Sequence, residues 1–173
     1  MERGLLHIYC GDGKGKTTCA FGLALRACGR GKKVLVAQFL KSSDSGERDG
    51  LALLPGATLL PVPEQIKFTF AMDEAERRAA AADCVALLDR VAALAGGYDL
   101  ILLDECCGAV NTGLLPVDRL TEFLDSRPAG AEVILTGRDP VPELVVRADY
   151  ITEMKKIRHP YDKGVPARKG IEW

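Results

Sequence analysis

Short apolar runs alternate with amphipathic stretches along this chain. Residues 5–10, 34–37, 98–105 and 132–138 each open as a brief run rich in Leu, Ile, Val and Tyr, the pattern of buried strands. Residues 150–154 read as a last strand, and 58–62 as a short one closed by Pro61 and Pro63. Between them, 16–29 has helical spacing at Phe21, Leu25 and Cys28, with Gly29 and Gly31 as a stop. Asp73 can cap a long helix reaching about Ala95, ended by Gly96 and Gly97. Residues 116–126, with Pro116 near the start, and 142–147 read as further helices. The polar stretch 42–50 reads as a mobile loop, and 64–70 as irregular chain with exposed aromatics. The tail from Lys155 to the end is basic and has no periodicity. Strands alternating with helices predict one α/β domain over residues 1–173, its mostly parallel sheet covered on both faces.

Composition narrows the chemistry. A net charge of −1 supplies no bulk field for nucleic acid or an anionic membrane, so anion recognition must be local. No apolar run approaches the ~20 residues needed to cross a bilayer, and the residues near Met1 show no apolar signal region. The 6 cysteines include no Cys-x-x-Cys pair. Reduced thiols in a cytoplasmic protein are expected.

The chemistry-bearing residues gather where predicted strands end, which is where open α/β sheets bind ligands. Gly11-Asp12-Gly13-Lys14-Gly15-Lys16-Thr17-Thr18 lies between the first strand and the first helix. Gly15, Lys16 and Thr17 fit the close of a phosphate-binding loop, while its first glycine falls one place late, after Cys10. Curled glycine backbone points N–H groups inward, and the following helix adds its positive end. Lys16 supplies a point charge, and the Thr17 hydroxyl suits Mg²⁺. Asp104 and Glu105 end another strand and are candidate metal carboxylates. Arg138, also at a strand end, is a candidate phosphate contact. Phe68 and Phe70 are either core residues or ligand contacts on these grounds. His159 in the tail reads as a solvated histidine or a ligand contact.

Together these stretches resemble the ATP:corrinoid adenosyltransferases of the CobA type. The matches are the loop from Gly11 to Thr18, Gln38-Phe39-Leu40-Lys41, Gly46-Glu47-Arg48, Phe68-Thr69-Phe70, Leu103-Asp104-Glu105, Thr136-Gly137-Arg138, and His159 to Val165 leading to Gly170-Ile171-Glu172. The resemblance spans essentially the whole chain, without a counterpart to the N-terminal helix of some members. It implies a RecA-like P-loop fold, commonly a homodimer. It implies transfer of the 5′-deoxyadenosyl group of ATP to Co(I) of cob(I)yrinic acid a,c-diamide or cob(I)alamin, releasing triphosphate. Residues 13–18 would hold the triphosphate, and Thr17 with Glu105 would hold Mg²⁺. Phe68 and Phe70 match an aromatic pair that displaces the lower axial ligand of cobalt, with Phe70 standing where tryptophan is common. A flavoprotein reductase is the implied electron source.

No Ser/His/Asp set is present, and Co(I) needs none, because it is a stronger nucleophile than any side chain. Two other readings of the loop remain open from the residues: a P-loop hydrolase or small-molecule kinase, and a module that binds MgATP without turnover.

Overall fold

Neighbouring residues of a strand point to opposite faces of a sheet. When both faces are covered, every position can be apolar, and this chain has four such strands. The computed structural model describes residues 3–172. Its strands are β1 (Leu6–Cys10), β2 (Val34–Gln38), β3 (Ala57–Leu59), β4 (Leu100–Asp104), β5 (Glu132–Thr136) and β6 (Tyr150–Glu153). They form a 6-stranded sheet in the order β3-β2-β4-β5-β1-β6, and every pairing is parallel. Crossovers run through α1 (Lys16–Cys28), α2 (Gly46–Ala52), α3 (Glu74–Leu94), α4 (Cys106–Asn111), α5 (Val117–Ser126) and α6 (Pro142–Val145). β5 stands between the loop-bearing β1 and the carboxylate-bearing β4. This is the expected α/β arrangement, a parallel sheet with helices packed on both faces.

Alternation sorts the core into two layers. Leu6, Ile8, Leu35, Ala37, Ile101, Leu103, Val133 and Leu135 pack with α3, α5 and α6. Tyr9, Val34, Val36, Leu100, Leu102 and Ile134 pack with α1 and with Leu51 of α2. The same parity carries Gln38, Asp104 and Thr136, the last residues of β2, β4 and β5, to the α1 side.

Several expectations change. The second half of the stretch expected as a mobile loop forms α2. Glu47 and Asp49 lie in its first turn, favourable at the positive end of a helix, and buried Leu51 anchors it. α4 was not anticipated, since its short Cys106-Cys107-Gly108-Ala109 run carries no period. In α1 the buried face is Ala20, Phe21, Ala24 and Ala27, whereas Leu25 is 55% exposed. Small residues let that helix lie close to the sheet. β3 stops at Leu59, before Pro61, which cannot donate to a ladder. The left-handed residue after α1 is Gly31, φ 76°, rather than Gly29.

The long helix starts as expected. Asp73 accepts from the Glu76 N–H at 2.8 Å, and Glu76 accepts from the Asp73 N–H at 3.0 Å, a reciprocal cap. The tail holds one 3₁₀ turn, Pro160–Lys163. Met1, Glu2 and Trp173 lie outside the described residues, so the sequence readings at the two chain ends do too. Among the described residues no helix is long and apolar enough to cross a membrane.

Candidate nucleotide and metal site

The loop takes its shape from its neighbours in the sheet. Gly11 has φ 97°, and a Cβ there would lie 2.5 Å from the Met154 carbonyl oxygen. The position therefore needs glycine, which explains the late first glycine: Cys10 is still strand. The Gly11 N–H donates to the Arg138 carbonyl at 2.8 Å, and the Gly13 N–H to the Met154 carbonyl at 2.6 Å. The loop is thus hung from the ends of β5 and β6, the two sheet neighbours of its own strand. Gly15, at φ 113°, turns the chain into α1. Lys16 Nζ donates to the Gly11 and Gly13 carbonyls at 2.8 and 2.9 Å. An ammonium has three donors, so one remains for a phosphate oxygen.

Lys14 and Thr18 are exposed on the loop. The Asp12 carboxylate accepts from the Lys156 N–H at 2.8 Å, and this bond is the main cause holding its pKa below the usual range. Its charge therefore ties the loop to the start of the basic tail. The Arg138 side chain is exposed, and its charge favours the ionised forms of Asp12 and Glu105.

Asp104 is the hub of the site and is 0% exposed. Its Oδ1 accepts from the Thr17 hydroxyl at 3.0 Å and from the Thr136 hydroxyl at 2.7 Å. Its Oδ2 accepts from Gln38 Nε2 at 2.9 Å, with Lys41 Nζ 4.0 Å away. These donors replace water around a buried carboxylate. Thr17, whose hydroxyl donates its hydrogen bond to Asp104, keeps its oxygen lone pairs for a cation. Glu105 is next in the chain, in the left-handed region at φ 58°, with its N–H donating to Thr136 Oγ1 at 2.8 Å. Burial, and then the charge of Asp104, push its carboxyl above the usual range; Lys41, Lys16 and Arg138 oppose the shift. Leu40, φ 52°, is the other non-glycine residue with positive φ among the described residues, and it too lies just beyond a strand end. Such conformations gather at functional sites.

The donor set fits Mg²⁺. Thr17 and Glu105 offer hard oxygen ligands, and Asp104 orients Thr17. Among the described residues no three His, Cys, Asp or Glu side chains converge as a metal cage. A site completed by phosphate and water is the arrangement Mg²⁺ favours.

A second feature adjoins this one. A cavity of about 670 Å³ lies between the end of β2, residues 61–67 and α3. Phe39, Val62, Ile66, Met72 and Leu87 make its wall apolar, and Gln38 and Lys41 belong both to it and to the surroundings of Asp104. Beyond it Phe68 and Phe70 are 75% and 86% exposed, their rings stacked at 5.3 Å. Exposure rules out the core reading of this pair. Arg77 holds their turn, donating to the Thr69 carbonyl at 3.3 Å and to the Thr112 carbonyl, just past α4, at 2.7 Å.

Residues 2–173 match the family model described as ATP:corrinoid adenosyltransferase BtuR/CobO/CobP. The chain belongs to that family. A corrinoid adenosyltransferase of Escherichia coli is 34% identical over 180 residues, covering 99% of this chain and 87% of its own. One from Pseudomonas aeruginosa is 35% identical over 173 residues, covering 99% and 85%. A solved KaiC-like protein of Pyrococcus horikoshii reaches a TM-score of 0.48 at 11% identity, over 90% of this chain and 74% of its own, too distant to bear on function. The adenosyltransferase family moves the adenosyl group of ATP to a reduced corrinoid, and this chain is an enzyme of that class.

The structure brings Gly11, Gly13, Lys16, Thr17, Asp104, Glu105 and the Arg138 backbone of this adenosyltransferase together. Phe68 and Phe70 stand apart on their own turn, and His159 caps the tail's 3₁₀ turn, accepting from the Tyr161 N–H at 3.2 Å. Sequence reasoning assigned no role to Gln38, Thr136, Lys41 or Arg48. For Gln38 and Thr136 a signal was present, a polar residue closing a buried strand on the same parity as Asp104; Lys41 and Arg48 lie outside the strands and carried none.

Proposed function

We propose that the loop from Gly11 to Thr18 grips the triphosphate of ATP so that the ribose C5′, not a phosphorus atom, is presented for attack. The Co(I) of a reduced corrinoid donates an electron pair to C5′. A Co–C bond forms, the C5′–O bond breaks, and its electron pair leaves with triphosphate. The observation that carries this reading is the Asp104 hub, which aligns Thr17 beside a loop already curled around the Lys16 ammonium. Lys16, the loop N–H groups and the N-terminus of α1 act as fixed positive charge for the leaving polyanion. Thr17 and Glu105 would hold Mg²⁺, which supplies further neutralisation of the phosphates when bound. The exposed pair Phe68 and Phe70 offers a dry face to the corrinoid and keeps a lower axial ligand from returning to cobalt. Arg138, Lys14 and Thr18 are the remaining phosphate contacts in this reading. The enzyme works as a cytoplasmic homodimer of single-domain subunits and takes electrons from a flavoprotein reductase.

Incubation of the protein with ATP, Mg²⁺ and anaerobically reduced corrinoid tests the reading. A light-sensitive alkylcobalt product with one triphosphate released per transfer is expected. ADP and phosphate in its place overturn it.

A further inference from the structure

The Asp104 hub extends one step further than the metal-facing residues, to α2. Arg48 Nη1 donates to Gln38 Oε1 at 2.9 Å, and Arg48 Nη2 donates to the Leu60 carbonyl at 3.0 Å. Gln38 is 2% exposed and donates its Nε2 to Asp104. A chain of contacts therefore runs from α2 through the ends of β2 and β4 to Thr17 in α1.

We propose that Arg48 is a positioning residue that sets the direction of this hydrogen-bond chain and so presents the Thr17 hydroxyl to a divalent cation. The inference rests on the reading of Thr17 as a metal ligand. A guanidinium can only donate, so Gln38 must turn its oxygen toward Arg48 and its NH₂ toward Asp104. Asp104 then receives donors from Gln38, Thr136 and Thr17, and its carboxylate is held in one plane. Remove the guanidinium, and the Gln38 amide loses what fixes its rotation. Its oxygen facing Asp104 would set acceptor against acceptor, and the carboxylate would turn, taking the Thr17 hydroxyl with it. The second Arg48 bond, to Leu60, ties this orientation to the chain that enters the cavity wall at Pro61. Arg48 touches none of the loop residues in these contacts, so its effect reaches the nucleotide only through Gln38 and Asp104.

Calorimetric titration of ATP at a series of Mg²⁺ concentrations, without corrinoid, tests the proposal. Arg48→Met should raise the Mg²⁺ concentration for half-maximal binding roughly tenfold, the worth of one charge-assisted hydrogen bond. Metal-free ATP affinity should change by less than about twofold, since the loop is untouched. Gln38→Met should show a similar rise, and the double variant no more than Gln38→Met alone, because residues acting through one another are not additive. Arg48→Lys keeps the charge but not the fork, and should give an intermediate rise of about threefold. It carries the test if Arg48→Met does not fold. Equal losses with and without Mg²⁺, independent losses that multiply in the double variant, or wild-type Mg²⁺ dependence in Arg48→Lys overturn the proposal. If the wild type itself binds ATP with no Mg²⁺ dependence, the metal reading fails and the relay with it. A normal wild-type dependence that the variants retain overturns the relay alone.

Discussion

The phosphate end and the aromatic end of this site are built in opposite ways. Around Asp104 every polar group has a partner, and no buried side-chain N or O among the described residues lacks one. Around Phe68 and Phe70 the apolar surface faces solvent, and the turn is tied down by Arg77. The first region is preorganised, its side chains already held in one arrangement by their mutual hydrogen bonds. The second holds apolar surface in water, which favours burial against a large apolar partner. Stability and function are therefore fused at the first end and separable at the second.

Removing the hub should break the first end most severely. Asp104→Ala leaves the Thr17, Thr136 and Gln38 donors without an acceptor and should lower unfolding free energy by about 2–4 kcal/mol, read from urea denaturation, while abolishing transfer. Lys16→Ala should weaken ATP binding by ~1.5–3 kcal/mol in calorimetry, the worth of a charge-assisted contact. Unchanged affinity would remove Lys16 from the phosphate site.

At the second end the expected signature is selectivity. Phe70→Ala should leave unfolding free energy within about 0.5 kcal/mol of wild type, as for other exposed positions. Transfer starting from Co(II) with a reductant should fall several-fold more than transfer from preformed Co(I). Equal losses by both routes would end the axial-ligand role.

The smallest effect is a gain. The Glu105 carboxyl sits above its ordinary 4.5 in the folded chain, chiefly through burial. The native state therefore holds that proton longer than the unfolded state. Stability from this group declines as pH rises from 4.5 through the raised value and is level beyond. In metal-free protein near pH 7, Glu105→Gln should raise Tm slightly and flatten that slope, while the same variant loses the effect of Mg²⁺ on ATP binding. A lower Tm at neutral pH would show that ionised Glu105 is stabilised by its cations rather than strained by burial.

Much of the fold could be read directly. Continuous apolar runs at β1, β2, β4 and β5 admit few alternatives to buried parallel strands, and Asp73 marks the start of α3. What stayed hidden was decided by distant contacts. α2 is polar nearly throughout and is held by Leu51 and by the Arg48 bonds to Gln38 and Leu60, which no local pattern displays. Leu25 reads as core and is exposed, because the sheet accepts the flatter alanine face of α1. At the site, Lys16, Thr17, Asp104 and Glu105 follow from motif chemistry. Gln38 and Thr136 required knowing that β2 and β5 both flank β4 and end level with it.

The two-layered core also has a consequence for how this enzyme can change. Because β4 is apolar on both sides, a single residue inserted ahead of Leu100 would exchange Ile101 and Leu103 with Leu100 and Leu102, apolar for apolar. The carboxylate, however, would swing to the layer opposite Thr17. There it would meet an apolar layer while its three donors lost their acceptor, so such a shift would cost fold and chemistry together, and the strand keeps its phase for the sake of one carboxylate.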